Sequence, residues 1–248
     1  MGGRRLGTAG WSIPRAVAGE FPAEGAGLER YAARFNAVEI NTSFYRPHRR
    51  ETYERWARNT PPHFRFSVKV PRAVTHHAKL AGCDPLMARF LSEAAGLGAK
   101  LGPILVQLPP SLAFDPAVAT DFFAALRTRF SGAVVCEPRH PTWFGVAADE
   151  LLQANHVGRV AADPAPHPEA ARPGGWAATS YWRLHGSPRM YYSAYEDAVL
   201  RALARAMLRR DESSDSWCIF DNTASGAAVA DALKLSALLP VSPEPADG

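Results

Sequence analysis

The sequence reads RFSVKVP at residues 65–71 and PILVQLP at residues 103–109, and each run has the length and apolar character of a buried strand. Between them, Asp84 places a capping carboxylate directly before Pro85, a residue suited to the first turn of a helix. Apolar side chains then recur at helical spacing as far as Ala94. The order strand, helix, strand predicts two parallel strands joined by a crossover helix.

The same unit recurs along most of the chain. Eight apolar or alternating runs have the character of strands: residues 4–11, 37–45, 65–71, 103–109, 133–139, 158–163, 181–186 and 216–222. Helix-period segments lie between most of these runs. Alternating strands and helices require parallel strands, and eight such units in about 250 residues suit a closed barrel. We therefore predict an α/β fold consisting of a single TIM-like (β/α)₈ barrel.

Two stretches depart from the repeat. Residues 164–179 contain four prolines and two glycines, which leave no room for a regular helix between strands six and seven. An irregular or missing helix is expected there. The barrel domain is assigned to residues 1–240, and residues 241–248 are predicted to form a flexible C-terminal tail. An open doubly wound sheet is the alternative, although no glycine-rich phosphate fingerprint follows the first strand.

The composition is that of an ordinary folded protein, with 248 residues, 47% hydrophobic and 21% charged. The formal charge of +4 favours encounters with anions but identifies no partner. Three cysteines, odd in number and far apart, argue against a disulfide framework or a zinc ribbon. Because no stretch of about 18 apolar residues is present, we expect a cytoplasmic protein without a membrane anchor.

Strand two alternates between apolar side chains on one face and Glu39 and Asn41 on the other. In a barrel the apolar face meets the helices, so the polar face points inward. The same parity places further polar side chains inward, near the carboxyl ends of their strands: Ser67, Lys69, Gln107, Glu137, Arg139, Asp163, Arg183 and His185. Barrel enzymes build their sites at this end of the strands. The parity of Asp221 and Asn222 on strand eight is not determined by the pattern.

These positions define one candidate site. The candidate catalytic residues are Glu137, His185, Glu39 and Lys69. The candidate substrate-binding residues are Trp11, Asn41, Tyr45, Gln107, Arg139, Asp163, Arg183, Asn222, Ser225 and Gly226. The last two open the final predicted helix, where unpaired N–H groups are suited to an anion. The sequence assigns no metal ligands, and the cofactor is unknown.

The same charges also have a purely structural interpretation. Three acids and three bases nearly balance and would form a self-compensating ion network at the barrel mouth: Glu39, Glu137, Asp163, Lys69, Arg139 and Arg183. Six desolvated charges are costly to keep for structure alone, which favours a ligand site. Both interpretations stay open at the level of sequence.

Seven motifs resemble those of the domain-of-unknown-function 72 family, also called YecE-like. They are GTAGW (7–11), VEINTSFYR (38–46), FSVKVPRAVTH (66–76), LGPILVQLPP (101–110), CEPRHPTW (136–143), YWRLHG (181–186) and FDNTASGAA (220–228). They follow one another in order along nearly the whole chain. The resemblance implies a TIM-barrel-like fold and no established activity, so no catalytic residue is carried over. The chain departs from the family pattern at Asp221, where asparagine is expected, and at Pro138, where an aromatic residue is usual.

The leading hypothesis is an enzyme, hydrolase- or lyase-like, that applies acid/base chemistry to a small polar or anionic substrate, phosphorylated compounds included. Glu137 or Glu39 would act as general base and His185 as its proton partner. The positive charges of Lys69, Arg139 and Arg183 would hold the substrate's negative charge.

Three alternatives remain. Ligation of a divalent metal by four of the inward residues would give a phosphodiesterase- or nuclease-like enzyme: Glu39, Glu137, Asp163 and His185. A lysine among apolar strand residues would make Lys69 the nucleophile of a Schiff-base lyase, although the nearby carboxylates argue against it. A non-catalytic nucleic-acid-binding module would use basic loop residues together with tyrosines for stacking: Arg46, Arg49, Arg50, Arg72, Lys79, Arg172, Arg189, Tyr45, Tyr191 and Tyr192.

Overall fold

The structure, a computed structural model, describes residues 3–210 and 214–239. Strands and α-helices alternate along this part of the chain. The strands are β1 (Arg4–Thr8), β2 (Ala37–Ile40), β3 (Arg65–Lys69), β4 (Leu101–Gln107), β5 (Val134–Glu137), β6 (Val157–Arg159), β7 (Ala161–Asp163), β8 (Gly174–Gly175), β9 (Thr179–Leu184) and β10 (Asp215–Phe220). The α-helices are α1 (Gly27–Ala32), α2 (Arg50–Arg58), α3 (Asp84–Ala94), α4 (Pro116–Arg129), α5 (Val146–Ala154), α6 (Asp197–Leu208) and α7 (Ala227–Leu238).

The strands form two sheets. One sheet has the order β1-β10-β9-β7 and is parallel throughout. The other has the order β2-β3-β4-β5-β6, also parallel, with the two-residue β8 added antiparallel at its edge. A parallel bridge between Ala9 and Glu39 links the end of β1 to β2. The parallel pairing that the repeated unit predicts is therefore present in both sheets.

The predicted sixth strand, residues 158–163, is split in two by Val160. β6 pairs with β5, whereas β7 pairs with β9 in the other sheet. Val160 itself donates its N–H to the Cys136 carbonyl, 2.8 Å away, and its side chain is buried. The segment thus changes partners as it passes from one sheet to the other. Among the described residues, backbone hydrogen bonds establish an α/β fold with two sheets, but not by themselves the closed eight-stranded barrel.

A small apolar layer is buried beneath the polar ends of the strands. It consists of Ala37, Leu105, Val135, Val160, Tyr181, Trp217 and Ile219. Five of its members stand two residues before a polar residue of the same strand, and side chains two apart point to the same side of a sheet. The paired positions are Ala37 with Glu39, Leu105 with Gln107, Val135 with Glu137, Tyr181 with Arg183, and Ile219 with Asp221. The apolar layer therefore supports a polar layer nearer the carboxyl ends of the strands.

Asp-Pro pairs stand at the starts of two helices, α3 and α4, and their carboxylates have different partners. Asp115 caps α4, because its Oδ1 accepts hydrogen bonds from the N–H groups of Ala117 and Val118. The capping role predicted for Asp84 is wrong. Asp84 is already helical, and its carboxylate instead pairs with Arg129 at 2.6 Å. A nearby guanidinium has therefore replaced the backbone N–H groups as the partner of this carboxylate.

The remaining expectations concern the irregular segment and the chain end. Between β7 and β9 there is a four-residue 3₁₀ helix, Pro168–Ala171, and the short β8, so the expected lack of a regular α-helix is confirmed. The tail predicted at residues 241–248 lies outside the described residues. Across the described ranges, no helix combines the length and the apolar character needed to cross a membrane.

Candidate functional site

Arg183, on β9, is the centre of a buried ionic cluster and has no exposed surface. Its guanidinium binds Glu39 in a forked manner, with Nε 2.9 Å from Oε2 and Nη2 2.7 Å from Oε1. Nη1 donates to Oε2 of Glu137 at 2.6 Å, and Nη2 also donates to Oδ2 of Asp221 at 3.0 Å. One cation thus binds three carboxylates that come from β2, β5 and the end of β10.

His185 lies between two of these carboxylates. Its Nδ1 is 3.0 Å from Oδ2 of Asp221, and its Nε2 is 2.9 Å from Oε1 of Glu137. Carboxylate oxygens accept hydrogen bonds, so the geometry fits an imidazolium that donates from both nitrogens. Arg139, whose side chain is one-fifth exposed, donates to the same Glu137 oxygen at 3.1 Å and forms the outer edge of the cluster.

The electrostatics agree with this arrangement. Burial opposes the charge of the imidazolium, but Glu137 and Asp221 outweigh that effect and raise the pKa of His185. Burial also disfavours the Glu137 carboxylate, yet Arg183 and His185 hold its pKa well below the ordinary value. The same two partners lower the pKa of Asp221 against the effect of burial. These contacts therefore favour the ionised form of Glu137 and Asp221 and the protonated form of His185.

Neutral groups complete the hydrogen bonding of the carboxylates. Gln107 Nε2 donates to Glu137 Oε2 at 3.1 Å. The hydroxyl of Tyr181 lies 3.0 Å from both Glu39 Oε2 and Ser67 Oγ. Glu39, Gln107, Glu137, Arg183 and His185 are all buried, and their mutual hydrogen bonds bring these side chains together on one side of the strands.

Lys69 differs from the other cations of the site. It is only 5% exposed, and its ammonium lies 4.1 Å from the centre of the Phe44 ring. Within the described residues, its Nζ forms neither a hydrogen bond nor an ion pair. Burial, followed by the positive charge of Arg183, lowers its pKa to about 8, whereas the carboxylates of the cluster act in the opposite direction.

Other candidate residues stand in separate contacts. Asp163 accepts a hydrogen bond from the Tyr195 hydroxyl at 3.2 Å rather than joining the cluster around Arg183. Asn222 is buried and donates its side-chain N–H groups to the Ser193 carbonyl and to Asp231. Both residues therefore hold the loop after β9 against neighbouring elements in this structure.

The anion position predicted at Ser225 and Gly226 is partly occupied by the protein's own hydrogen bonds. The Ser225 hydroxyl donates to the carbonyl of Tyr192 at 2.6 Å. The Gly226 N–H donates to the Thr223 carbonyl at 3.1 Å, and Gly226 adopts the left-handed backbone conformation. That N–H group is therefore not free for an anion, contrary to the expectation, because the turn before α7 already uses it.

Three remaining candidates lie around the cluster. Trp11 packs edge-on against Trp56, with ring centres 5.1 Å apart. Tyr45 is 67% exposed and contacts Phe44, the residue beneath Lys69. Asn41 has a buried Oδ1 that no group in the described part of the chain satisfies. None of these contacts joins Trp11, Tyr45 or Asn41 to the carboxylates.

The sequence left the orientation of Asp221 open, and the structure makes it a central member of the cluster. Asp221 stands two residues after Ile219, a member of the inward apolar layer, so a period-two count from that residue points it inward. The four residues before Asp221 are Trp217, Cys218, Ile219 and Phe220, all apolar. Such a run lacks the alternation that reveals a strand's inner face.

The metal-site alternative is not supported by the geometry. Within residues 3–210 and 214–239, no three His, Cys, Asp or Glu side chains are arranged as ligands for a metal ion. Glu39 is engaged by Arg183 through both carboxylate oxygens, and Asp163 contacts Tyr195 instead. The four proposed ligands are therefore not brought together around one position.

Comparisons with known proteins agree with the motif pattern. The UPF0759 protein YecE of Escherichia coli K12 is 36% identical over 154 residues, which are 59% of this chain and 55% of that protein. Its counterpart from Escherichia coli O157:H7 is 35% identical over the same length. The matched stretch thus spans about half the length of these curated relatives.

Solved structures extend the likeness to almost the whole chain. A DUF72 family protein from Enterococcus faecalis V583 has a TM-score of 0.79 at 21% identity, covering 97% of this chain and 96% of that one. A DUF72 family protein from Thermotoga maritima MSB8 has a TM-score of 0.79 at 23% identity, covering 95% and 98%. D-psicose 3-epimerase has a TM-score of 0.57 at 11% identity, covering 94% and 96%. The α/β fold thus resembles that of TIM-barrel enzymes.

The family described as "Protein of unknown function DUF72" matches residues 5–247, and this range contains every residue of the ionic cluster. The resemblance inferred from the motifs is therefore confirmed, and the chain belongs to the DUF72 family.

Proposed function

We propose that this protein is an enzyme that applies acid/base chemistry to a small anionic substrate, phosphorylated compounds included. The site lies at the carboxyl ends of the strands, and the two sheets are taken as parts of one closed TIM-like barrel. The observation that carries the proposal is His185, held at 3.0 and 2.9 Å by Asp221 and Glu137. An imidazole held on both sides has a fixed orientation, so a substrate oxygen that displaces one of the two carboxylates would receive its proton from a defined direction.

The environments of these groups suggest how they divide the work. A carboxylate whose pKa lies well below the ordinary value is a weak base, and that is the state of Glu137 next to Arg183 and His185. The general-base role expected for Glu137 is therefore replaced by a positioning role. His185, whose pKa is raised, serves as the proton donor. Lys69, whose pKa is lowered to about 8, is the base available near neutral pH.

The negative charge of the substrate would be bound at the outer edge of the cluster. Arg139 forms its ion pair through Nη2, and in the described contacts its other guanidinium nitrogens have no protein partner. A guanidinium offers a fork of N–H donors that fits a carboxylate or a phosphate. Arg139 would therefore hold an anionic group beside His185.

The most direct test is the exchange of substrate hydrogens with solvent deuterium. The protein is incubated in D₂O with a panel of small hydroxy acids, oxo acids and phosphorylated sugars, and solvent deuterium in each compound is measured by mass spectrometry. We expect exchange or turnover of at least one compound. Replacing the donor (His185→Gln) should slow it by about 10² to 10⁴-fold, the usual contribution of a positioned acid or base. No reaction with any member of the panel would contradict the proposal.

A matched control separates catalysis from structure. Asp149 on α5 also forms a partly buried ion pair, with Arg159 at 3.3 Å, but neither residue contacts the cluster. Asp149→Asn should change stability without changing the exchange rate. If the cluster were only a structural ion network, His185→Gln and Asp149→Asn would both alter the unfolding midpoint, and neither would alter any reaction rate.

A further inference from the structure

The buried site contains a lysine that the fold does not use as an ionic partner. Arg183 pairs with three carboxylates, and Arg139 pairs with Glu137. The carboxylate oxygens that bind them are directed to arginine, histidine, tyrosine and glutamine donors, none to Lys69. The nearby carboxylates, which in the sequence argued against a reactive lysine, thus form their hydrogen bonds with other groups.

A second lysine of the same chain, Lys100, has the hydrogen bonds that are typical of a structural ammonium group. Lys100 donates from Nζ to the Ala57 carbonyl at 2.6 Å, to the Thr60 carbonyl and to the Thr60 hydroxyl at 3.1 Å. Its ammonium therefore ties the end of α2 to the segment before β4. The Lys69 ammonium forms no comparable bond in the described part of the chain, and it lies over the aromatic ring of Phe44. A desolvated ammonium without such partners is costly to keep unless chemistry requires it.

We infer that Lys69 is the nucleophile of this site and that its amine forms a Schiff base with a small aldehyde or ketone carrying a carboxylate or phosphate. This inference rests on the proposed function and narrows its substrate class to carbonyl compounds. The amine must be neutral to react, and the lowered pKa of about 8 places the neutral form within reach of physiological pH.

The reaction balances with the groups present. The Nζ lone pair attacks the carbonyl carbon and forms a C–N bond, while the π electrons of the C=O bond move to oxygen. The oxygen takes up one proton from the imidazolium of His185, the other from the attacking nitrogen, and leaves as water. The resulting iminium carries a positive charge that withdraws electrons from the adjacent carbon. Arg139 would hold the anionic group, and no oxidant or reductant is needed.

Reductive trapping tests the inference directly. The full chain is incubated at pH 8 with glyoxylate, pyruvate or dihydroxyacetone phosphate together with sodium cyanoborohydride, which reduces an imine to a stable secondary amine. At this pH about half of the Lys69 amines would be neutral, against fewer than about one in a hundred for an unperturbed lysine. We expect at least one probe to be fixed on Lys69 about tenfold faster or more than on any other of the chain's four lysines.

Two variants provide the controls. Lys69→Arg keeps the positive charge but cannot form an imine, so trapping should fall to the level of the other lysines. Lys100→Arg should leave trapping at Lys69 unchanged. Peptide mapping of the unsubstituted protein gives the same answer even if a variant folds poorly. Equal labelling of all four lysines, or no labelling of Lys69, overturns the inference.

The deuterium-exchange panel separates this result from a failure of the proposed function. Exchange or turnover without trapping on Lys69 would leave acid/base catalysis in place and remove the Schiff base. If neither exchange or turnover nor trapping on Lys69 is observed, the proposed function and the Schiff-base inference are both overturned. Trapping on Lys69 that is lost in Lys69→Arg upholds the inference. If trapping on Lys69 is faster in the unsubstituted protein than in His185→Gln, His185 supplies the proton.

Discussion

Two layers of side chains on the inward face of the strands differ in chemistry although they stand only two residues apart. In the lower layer, Leu105 and Val135 are fully buried within an apolar group. In the upper layer, Gln107 and Glu137 of the same strands are buried among hydrogen-bonding partners. A single strand therefore contributes to the core with one residue and to the site with the residue two positions later.

The layers also depend on their neighbours in different ways. Apolar side chains tolerate exchange as long as volume is filled, because the hydrophobic effect has no direction. Buried carboxylates need a specific partner, since desolvation of an unpaired charge is costly. Glu39, Glu137 and Asp221 all depend on the one guanidinium of Arg183. The upper layer should therefore respond far more strongly to the loss of one side chain.

The largest effect is expected for Arg183→Met, which removes the shared partner of three buried carboxylates. We expect a loss of about 3 to 5 kcal/mol in the free energy of unfolding, the usual cost of breaking a buried ion pair from one side. Urea unfolding at pH 7, followed by circular dichroism, measures it. Adding Glu39→Gln to Arg183→Met should restore part of the loss, because one uncompensated charge is then absent.

The exposed pair of Arg89 with Glu93, at 2.8 Å on α3, is the matched control. Arg89→Met should change stability by no more than about 0.5 kcal/mol, since solvent screens such pairs. A similar small change for Arg183→Met would contradict the view that the upper layer depends on a single cation.

A cavity in the lower layer should lower the free energy of unfolding less than Arg183→Met does, and it should leave the catalytic rate nearly unchanged. Leu105→Ala removes buried methyl groups and should cost about 3 kcal/mol in the free energy of unfolding. Leu105 is the cross-strand neighbour of Lys69, but its side chain is apolar and supplies no charge or hydrogen-bond donor to the site. Any exchange activity measured below the unfolding transition should therefore stay within about twofold of the unsubstituted rate. Loss of activity without loss of stability would show that the two layers are not separable.

The smallest effect, and the one of opposite sign, is expected for Lys69→Met. The pKa of Lys69 is about 8 in the folded protein against an ordinary value of 10.5, so its charge opposes folding below pH 8. Removing the ammonium should raise the free energy of unfolding at pH 7 by about 1 to 3 kcal/mol. The same variant should lose reductive trapping.

The pH dependence sharpens this prediction. The penalty fades as the pH rises from about 8 to 10.5, because there the folded protein no longer carries the charge that the unfolded chain still carries. The stability difference between Lys69→Met and the unsubstituted protein should therefore shrink across this range. Lys100→Met is the control and should destabilise, because Lys100 donates three hydrogen bonds. A destabilised Lys69→Met at pH 7 would show that Lys69 has a structural partner.

The alternation pattern of the strands predicted a large part of the residues that form this site. The alternation in strand two and its parity in strands three, five and seven placed Glu39, Lys69, Glu137, Arg183 and His185 on the inner face, where they are buried. Parity left Asp221 undetermined, because apolar side chains fill both faces before it. It gave the wrong face for Asp163, which is in register with Leu184, whereas Ala162 is in register with Arg183. The repeated strand–helix unit likewise predicted parallel pairing, because a crossover of that length allows no other direction.

Period two and helical spacing are properties of neighbouring residues, so the sequence by itself determined which strand faces are polar and at which end. Pairing partners are a property of the folded chain. Glu39 and Arg183 are 144 residues apart in sequence, and only the order of the strands brings them within 2.9 Å. Strand register gave Asp221 rather than Asp163 to the cluster, because Asp163 is in register with Leu184 and not with Arg183. The tertiary structure also left the Lys69 ammonium without an ion pair among the described residues. Whether a charge is paired depends on distances between residues far apart in sequence, which no local pattern encodes.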